Sequence, residues 1–142
     1  MEAAPACVFC QIAAQEEAAS VVYDDGAIVA FLDHDPLNPG HTLVIPRRHA
    51  PDLAGLEPGE AARLPVAQQV AAAIRGCGLH CEGILLQLSD GAPAGQDVFH
   101  VHLHIIPRWP GDGLYRRNAE RGAYLPPRSE LDVIAAHIRR CL

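Results

Sequence analysis

Residues 99–106 read FHVHLHII, in which His100, His102 and His104 alternate with apolar residues. In an extended strand, successive side chains point to opposite faces. Phe99, Val101, Leu103 and Ile105 then share one face, a ready-made core, and the three imidazoles share the other. At a rise of about 3.3 Å per residue, neighbouring histidines stand about 7 Å apart and the outer two about 13 Å apart. One metal ion held by all three is therefore disfavoured. A metal on two neighbouring imidazoles, chemistry on an anionic ligand, and a solvated strand face remain as readings. Histidine is not a favoured exposed-strand residue, so three in register need a cause.

The preceding loop, GAPAGQ (91–96), brings two glycines and small residues to the start of this strand. Such a loop lets backbone N–H groups approach an anion closely. Imidazoles beside an amide-rich loop suit a phosphate, with one attacking phosphorus and another donating a hydrogen bond. The combination points to phosphoryl or nucleotidyl transfer through a histidine nucleophile.

Working outward, residues 7–18 predict a short helix with Phe9, Ile12 and Ala13 on one face. SVVYDDGAIVAFLD reads as two strands around Asp25-Gly26, a strong hairpin signal. HDPLNPG (34–40) is a loop and HTLVIP (41–46) a third strand. Residues 57–76 predict a helix with Leu64, Val70 and Ile74 on its apolar stripe, split or kinked at Pro65. GILLQLSD (83–90) and DVFHVHLHIIP (97–107) are the fourth and fifth strands. Residues 107–128 read as an irregular segment, followed by a helix from Ser129 whose S-x-x-D resembles a capping box. Leu131, Ile134 and Ile138 would form its inner face. The pattern is that of an α+β domain, residues 1–142, with a five-stranded, mainly antiparallel sheet and helices packed on it.

The chain has 142 residues and a formal net charge of −6, with a pI near 5.7. That disfavours a general nucleic-acid binder, which needs a basic footprint. No apolar run approaches the ~18 residues of a membrane span, and the N-terminal MEAAPACVFCQ lacks the pattern of a secretory signal. The expectation is a cytoplasmic protein without nucleic-acid or membrane partners. Five cysteines in that setting read as reduced thiols; Cys7 and Cys10 form a C-x-x-C, ordinarily a redox pair or two free thiols.

FHVHLHII matches H-φ-H-φ-H-φ-φ, φ being apolar, and so resembles the histidine-triad (HIT) family of nucleotide hydrolases and transferases. YDDGAIVAFLDHDPLNPGHTLVIPRRH (23–49) is similar to the family's N-terminal half and GAPAGQDVFHVHLHIIPR (91–108) to its active-site segment. The resemblance, to the bacterial Hint-like branch, implies a HIT-like fold whose sheet continues across a two-fold homodimer. It implies that His102 is the nucleophile, attacking an α-phosphorus to form a nucleotidyl-histidine that water then hydrolyses. His104 would bond the phosphate region and His41 would hold the nucleophile's orientation or tautomer. Asp33 would accept from ribose hydroxyls, and His34 would line the nucleoside pocket. Gly95 and Gln96 would form the phosphate-side loop. The implied ligand is a purine nucleotide of the AMP or GMP type, in phosphoramidates, adenylates or dinucleoside polyphosphates.

Two positions depart from the family pattern. Ser89 stands where relatives carry asparagine and offers one donor instead of two. Asp97 stands where the eukaryotic-like branch carries serine; a carboxylate there would repel phosphate, although strand parity points it away from the histidine face. The resemblance further implies that Cys7, Cys10, His49 and His100 form a Cys2His2 set for a structural zinc, with no metal required for the chemistry. Rival readings are a nucleotide-binding regulatory protein with incidental hydrolysis, and a metal-dependent hydrolase using the histidine strand. Transferases of the superfamily carry H-P-H, and Val101 in the middle position argues against that branch.

Overall fold

The computed structural model describes the backbone of residues 7–61, 64–122 and 125–142. Its centre is one antiparallel sheet of five strands: β1 (Val21–Asp24), β2 (Ile28–Leu32), β3 (Thr42–Pro46), β4 (Gly83–Gln87) and β5 (Leu103–Arg108). Their spatial order is β1-β2-β3-β5-β4. The β1–β2 hairpin forms where Asp25-Gly26 predicts it. Asp25 Oδ1 accepts from the N–H groups of Ala27 and Ile28, and Gly26 adopts a φ of +89°.

β2 and β3 are buried along their whole length because both faces of the sheet are covered. Ile28, Ala30, Leu32 and Val44 face two helices, α3 (Leu64–Gly76) and α5 (Arg128–Cys141). Val70 and Ile74 are buried there, as expected, with Val66, Ala67 and Ala73; the Leu64 side chain lies outside the described residues. Leu131 and Ile138 are buried and Ile134 packs beside them. On the other face, Val29, Phe31, Leu43 and Ile45 meet Phe9 and Ala13 of α1 (Val8–Ala13). This second face carries the site.

Several boundaries differ from the sequence expectation. α1 ends at Ala13 instead of running to 18, because Gln15 turns into the left-handed region at φ +62°. Within the stretch 57–76 expected to be helical, the described residues form α2 (Pro58–Ala61) and α3; the expected split or kink at Pro65 bears on residues 62 and 63, which lie outside the described residues. The segment 107–128 is not wholly irregular; it holds α4 (Leu114–Ala119). The expected capping box is not formed. α5 is capped by Pro127 without a side-chain bond, and Asp132 instead accepts from the buried hydroxyl of Ser20 at 2.7 Å. β4 stops at Gln87 rather than 90.

The largest correction concerns the histidine strand. β5 begins at Leu103, not at 97, and pairs with β3 through Leu103, His104 and Ile105 only. Ahead of it the backbone bonds elsewhere, the Val101 N–H reaching the Ala50 carbonyl at 2.8 Å. Strict alternation therefore fails at the N-terminal end: Phe99 is 52% exposed instead of joining Val101 and Ile105 in the core. Among the described residues no helix is long and apolar enough to cross a membrane.

Candidate active site and Cys2His2 cluster

His41 precedes β3 at the end of a loop built to hold it. Gly40, at φ +97°, has no room for a side chain: a Cβ there would lie 2.8 Å from Leu79 Cδ1. Asn38, fully buried, donates to the Pro107 carbonyl at 2.7 Å and to Asp112 Oδ2 at 3.1 Å. Arg108 grips Asp112 through both oxygens and holds its carboxyl well below the usual carboxylate range. The loop is thus tied to the end of β5.

The His41 ring lies wholly inside the protein. The Leu37 N–H donates to its Nδ1 at 3.0 Å, so its Nε2 carries the proton and donates to His104 Nδ1 at 2.9 Å. Neutral His104 must then carry its own proton on Nε2. Burial lowers His41 to about 3 and His104 to about 4, so both are neutral at pH 7. His104 pairs with Leu43 in the ladder, which puts it on the face covered by α1.

His102 is fixed differently. Its Nδ1 donates to the His100 carbonyl at 2.9 Å, leaving Nε2 as a bare lone pair. The His41 ring bonds to His104, and the backbone help expected for His102 comes from the His100 carbonyl. Its ring packs edge-on to Phe9, with centroids 5.1 Å apart, and lies 4.9 Å from the His104 ring.

Both imidazoles line a cavity of about 450 Å³ with Phe9, Phe31, Leu43 and Asp33 among its walls. Apolar and aromatic side chains together with imidazoles suit a ligand with a flat ring and an anionic group. Asp33 is buried: Oδ1 accepts from the Asp35 N–H, and Oδ2 lies 2.9 Å from Arg121 Nη2 and 3.5 Å from His41 Nε2. His34, 73% exposed, forms part of the cavity rim.

Gln96 is buried, and its side chain is spent on the backbone. It accepts from Gly91 N–H at 2.8 Å and donates to the Pro51 and Val98 carbonyls at 2.6 and 3.0 Å. Gly95 closes the turn at φ +98°, with Ser89 Oγ 3.5 Å from where a Cβ would stand. Asp97 is not turned away. Its Oδ1 lies 3.8 Å from His102 Nε2, because strand parity does not extend to residue 97.

His100 faces away from this cavity. Its Nε2 donates to the Pro46 carbonyl at 2.7 Å, which leaves Nδ1 for the cysteines, 3.4 Å from Cys7 Sγ and 3.5 Å from Cys10 Sγ. His49 Nδ1 stands 3.3 Å from Cys10 Sγ. The four donor atoms lie within 4.8 Å of one another. A zinc with bonds of about 2.0–2.3 Å to nitrogen and sulfur has tetrahedral S–N edges of about 3.5 Å. The donor set fits that ion, and the His100–Pro46 bond is the outer contact that fixes a ligating imidazole. Asp33, His41 and His104 are also close together, but their polar atoms are directed at one another and at Arg121.

Sequence reasoning missed Arg121, which crosses from beyond α4 to Asp33 and Asp35. An arginine in a polar segment carries no local signal. It also missed the main-chain groups of Leu37, Pro46 and His100 that set the tautomers.

The HIT domain model matches residues 14–111. A zinc-bound histidine-triad family protein from Mycobacterium smegmatis superposes with a TM-score of 0.82 at 37% identity, covering 96% of this chain and 92% of that one. A hypothetical histidine triad nucleotide-binding protein from Sulfolobus tokodaii gives 0.81 at 30% identity, over 95% and 91% of the two chains. Adenylylsulfatase HINT3 of Arabidopsis thaliana is 33% identical over 140 residues, 96% of this chain and 69% of that protein. With the triad motif, the antiparallel sheet and the imidazole-lined cavity, these matches show that the chain belongs to the histidine-triad (HIT) domain family.

Proposed function

We propose that the protein is a nucleotidyl hydrolase working through a covalent intermediate on His102. The observation that carries this reading is the bond from His102 Nδ1 to the His100 carbonyl, which in the neutral ring leaves Nε2 as the acceptor nitrogen on a side chain that lines the cavity. Nε2 attacks the α-phosphorus of a nucleoside monophosphate derivative. The phosphorus bond to the amine, sulfate, phosphate or nucleotide breaks as the phosphorus–nitrogen bond forms. His104, with its one hydrogen on Nε2 and held by His41, hydrogen-bonds to the phosphate, and the leaving group takes its proton from solvent. Water then cleaves the phosphorus–nitrogen bond, releasing the monophosphate and restoring His102.

Asp33 offers carboxylate oxygens to the ribose hydroxyls, and the Phe9, Phe31 and Leu43 side receives a purine. His34 adds to the nucleoside rim; Gly95, Gln96, Ser89 and Asp97 frame the phosphate end. Phosphoramidates, adenylates such as adenylyl sulfate, and dinucleoside polyphosphates are the candidate substrates. Cys7, Cys10, His49 and His100 would hold a structural zinc that ties α1 to the sheet, outside the bond-breaking chemistry. As part of this reading, residues 1–142 act as one domain and as a cytoplasmic homodimer. Edge strand β4, with Leu86 exposed, supports continuation of the sheet into a second copy.

The test is a panel of these substrates followed by phosphorus NMR, with rapid denaturation to trap the adduct. Release of the nucleoside monophosphate and a phosphorus–nitrogen adduct mapped to His102 are expected. A wild-type rate equal to that of His102→Ala overturns the reading.

A further inference from the structure

The cavity that would receive a nucleotide is short of positive charge. Its described charged side chains are Glu17, Asp33, Asp35 and Asp97 against Arg121 and Arg128. Arg121 is engaged by the Asp33 and Asp35 carboxylates at 2.9 and 3.3 Å. Arg128 reaches the other way, to Ser20 Oγ at 2.9 Å and the Ala18 carbonyl at 3.4 Å. Asp97 brings its carboxylate to 3.8 Å from His102 Nε2.

Asp97 is 76% exposed at its side chain, but its backbone is anchored. The preceding residue, Gln96, is clamped by three side-chain bonds and by its own N–H on the Gly91 carbonyl at 3.2 Å. A one-methylene side chain on that anchor cannot take its charge far from a phosphorus bonded to His102. The neighbouring imidazole of His104 is neutral at pH 7 and does not offset it.

We propose that Asp97 selects substrates by the charge of the leaving group. It favours nucleoside phosphoramidates whose leaving amine carries a second, protonated amino group, and it disfavours sulfate, pyrophosphate and nucleotide leaving groups. This rests on the reading of His102 as the nucleotidyl acceptor. The phosphoryl group brings one negative charge past the carboxylate in every case; an anionic leaving group brings more, whereas an ammonium group returns an attraction. Two unit charges about 6 Å apart, in a half-solvated cleft with an effective dielectric near 40, change a rate by about tenfold.

The test compares kcat/KM for three adenosine 5′-derivatives: a neutral alkylamine phosphoramidate, a diamine phosphoramidate with a free ammonium group, and adenylyl sulfate. The wild type is expected to prefer the diamine over the neutral compound by about tenfold at low salt, and high salt is expected to compress that ratio. Asp97→Asn is expected to bring the ratio near one and to raise the sulfate relative to the neutral compound by about tenfold. Asp97→Lys is expected to invert the preference. Turnover with ratios that Asp97→Asn and Asp97→Lys leave unchanged overturns the role of Asp97 alone. No turnover of any of the three, with no adduct on His102, overturns the hydrolase reading and this inference with it.

Discussion

His41 donates its Nε2 proton to Nδ1 of His104 across 2.9 Å, and the direction is set by the Leu37 N–H on the far side of the His41 ring. A main-chain amide thereby determines which nitrogen of His104, two rings away, offers a proton to the cavity. Both rings are neutral because burial disfavours their cations.

This relay has a pH signature. Both folded-state values, about 3 and about 4, lie below the unfolded value of 6.5, so between them the unfolded chain binds more protons. The stability contribution is complete above about pH 6.5 and is lost as pH falls toward 4. Thermal melts are expected to give a flat Tm above pH 6.5 and a declining one below it. In His41→Gln/His104→Gln that decline becomes shallower. An equally steep decline in the double variant would remove these two rings as its source.

Asp33 and Arg121 form a partly buried pair, and removing either member should have different consequences. Arg121→Ala leaves a buried carboxylate with the Asp35 N–H and His41 for company, a loss of about 1–2 kcal/mol after allowing for the partial exposure of the arginine. Asp33→Asn should remove discrimination between a ribonucleotide and its 2′,3′-dideoxy analogue, measured by calorimetric titration.

Gln96 should tolerate no charge. Gln96→Ala removes three bonds from part-buried backbone groups, a cost of about 1–2 kcal/mol by chemical denaturation. Gln96→Glu should cost more, because a carboxylate oxygen would then face the Pro51 and Val98 carbonyls, where the amide now donates.

The cysteine–histidine cluster predicts one zinc per chain by elemental analysis. Chelation is expected to lower Tm, and Cys10→Ser to abolish retention of the metal. Zinc-free protein that remains folded should still form the His102 adduct, since the four cluster residues do not line the cavity that His102 and His104 share. Loss of adduct with the fold intact would contradict a purely structural ion.

The sheet was legible because its signals are local. Asp25-Gly26 marks a hairpin, Pro46 stops a strand, and the apolar runs of β2 and β3 announce burial on both faces. The family was legible because the HIT motif is a run of neighbours in sequence. What alternation misjudged lies where the ladder stops: residues 97–102 have the rhythm of a strand, but their hydrogen bonds go to Ala50, Gln96, Pro46 and one another. That departure exposes Phe99 and brings the Asp97 carboxylate beside His102.

By itself, then, the sequence indicated the antiparallel α+β sheet from residue types and short spacings, whereas the expected roles of the triad histidines and the candidate zinc donors came from the resemblance to the HIT family. Tertiary structure alone decided the hydrogen-bond partners, and so the tautomers, of the histidines. His102 takes its tautomer from the His100 carbonyl, His104 from His41, and His100 from the Pro46 carbonyl, 54 residues away. Such bonds depend on where distant backbone groups arrive after folding, and no periodicity in the chain records that.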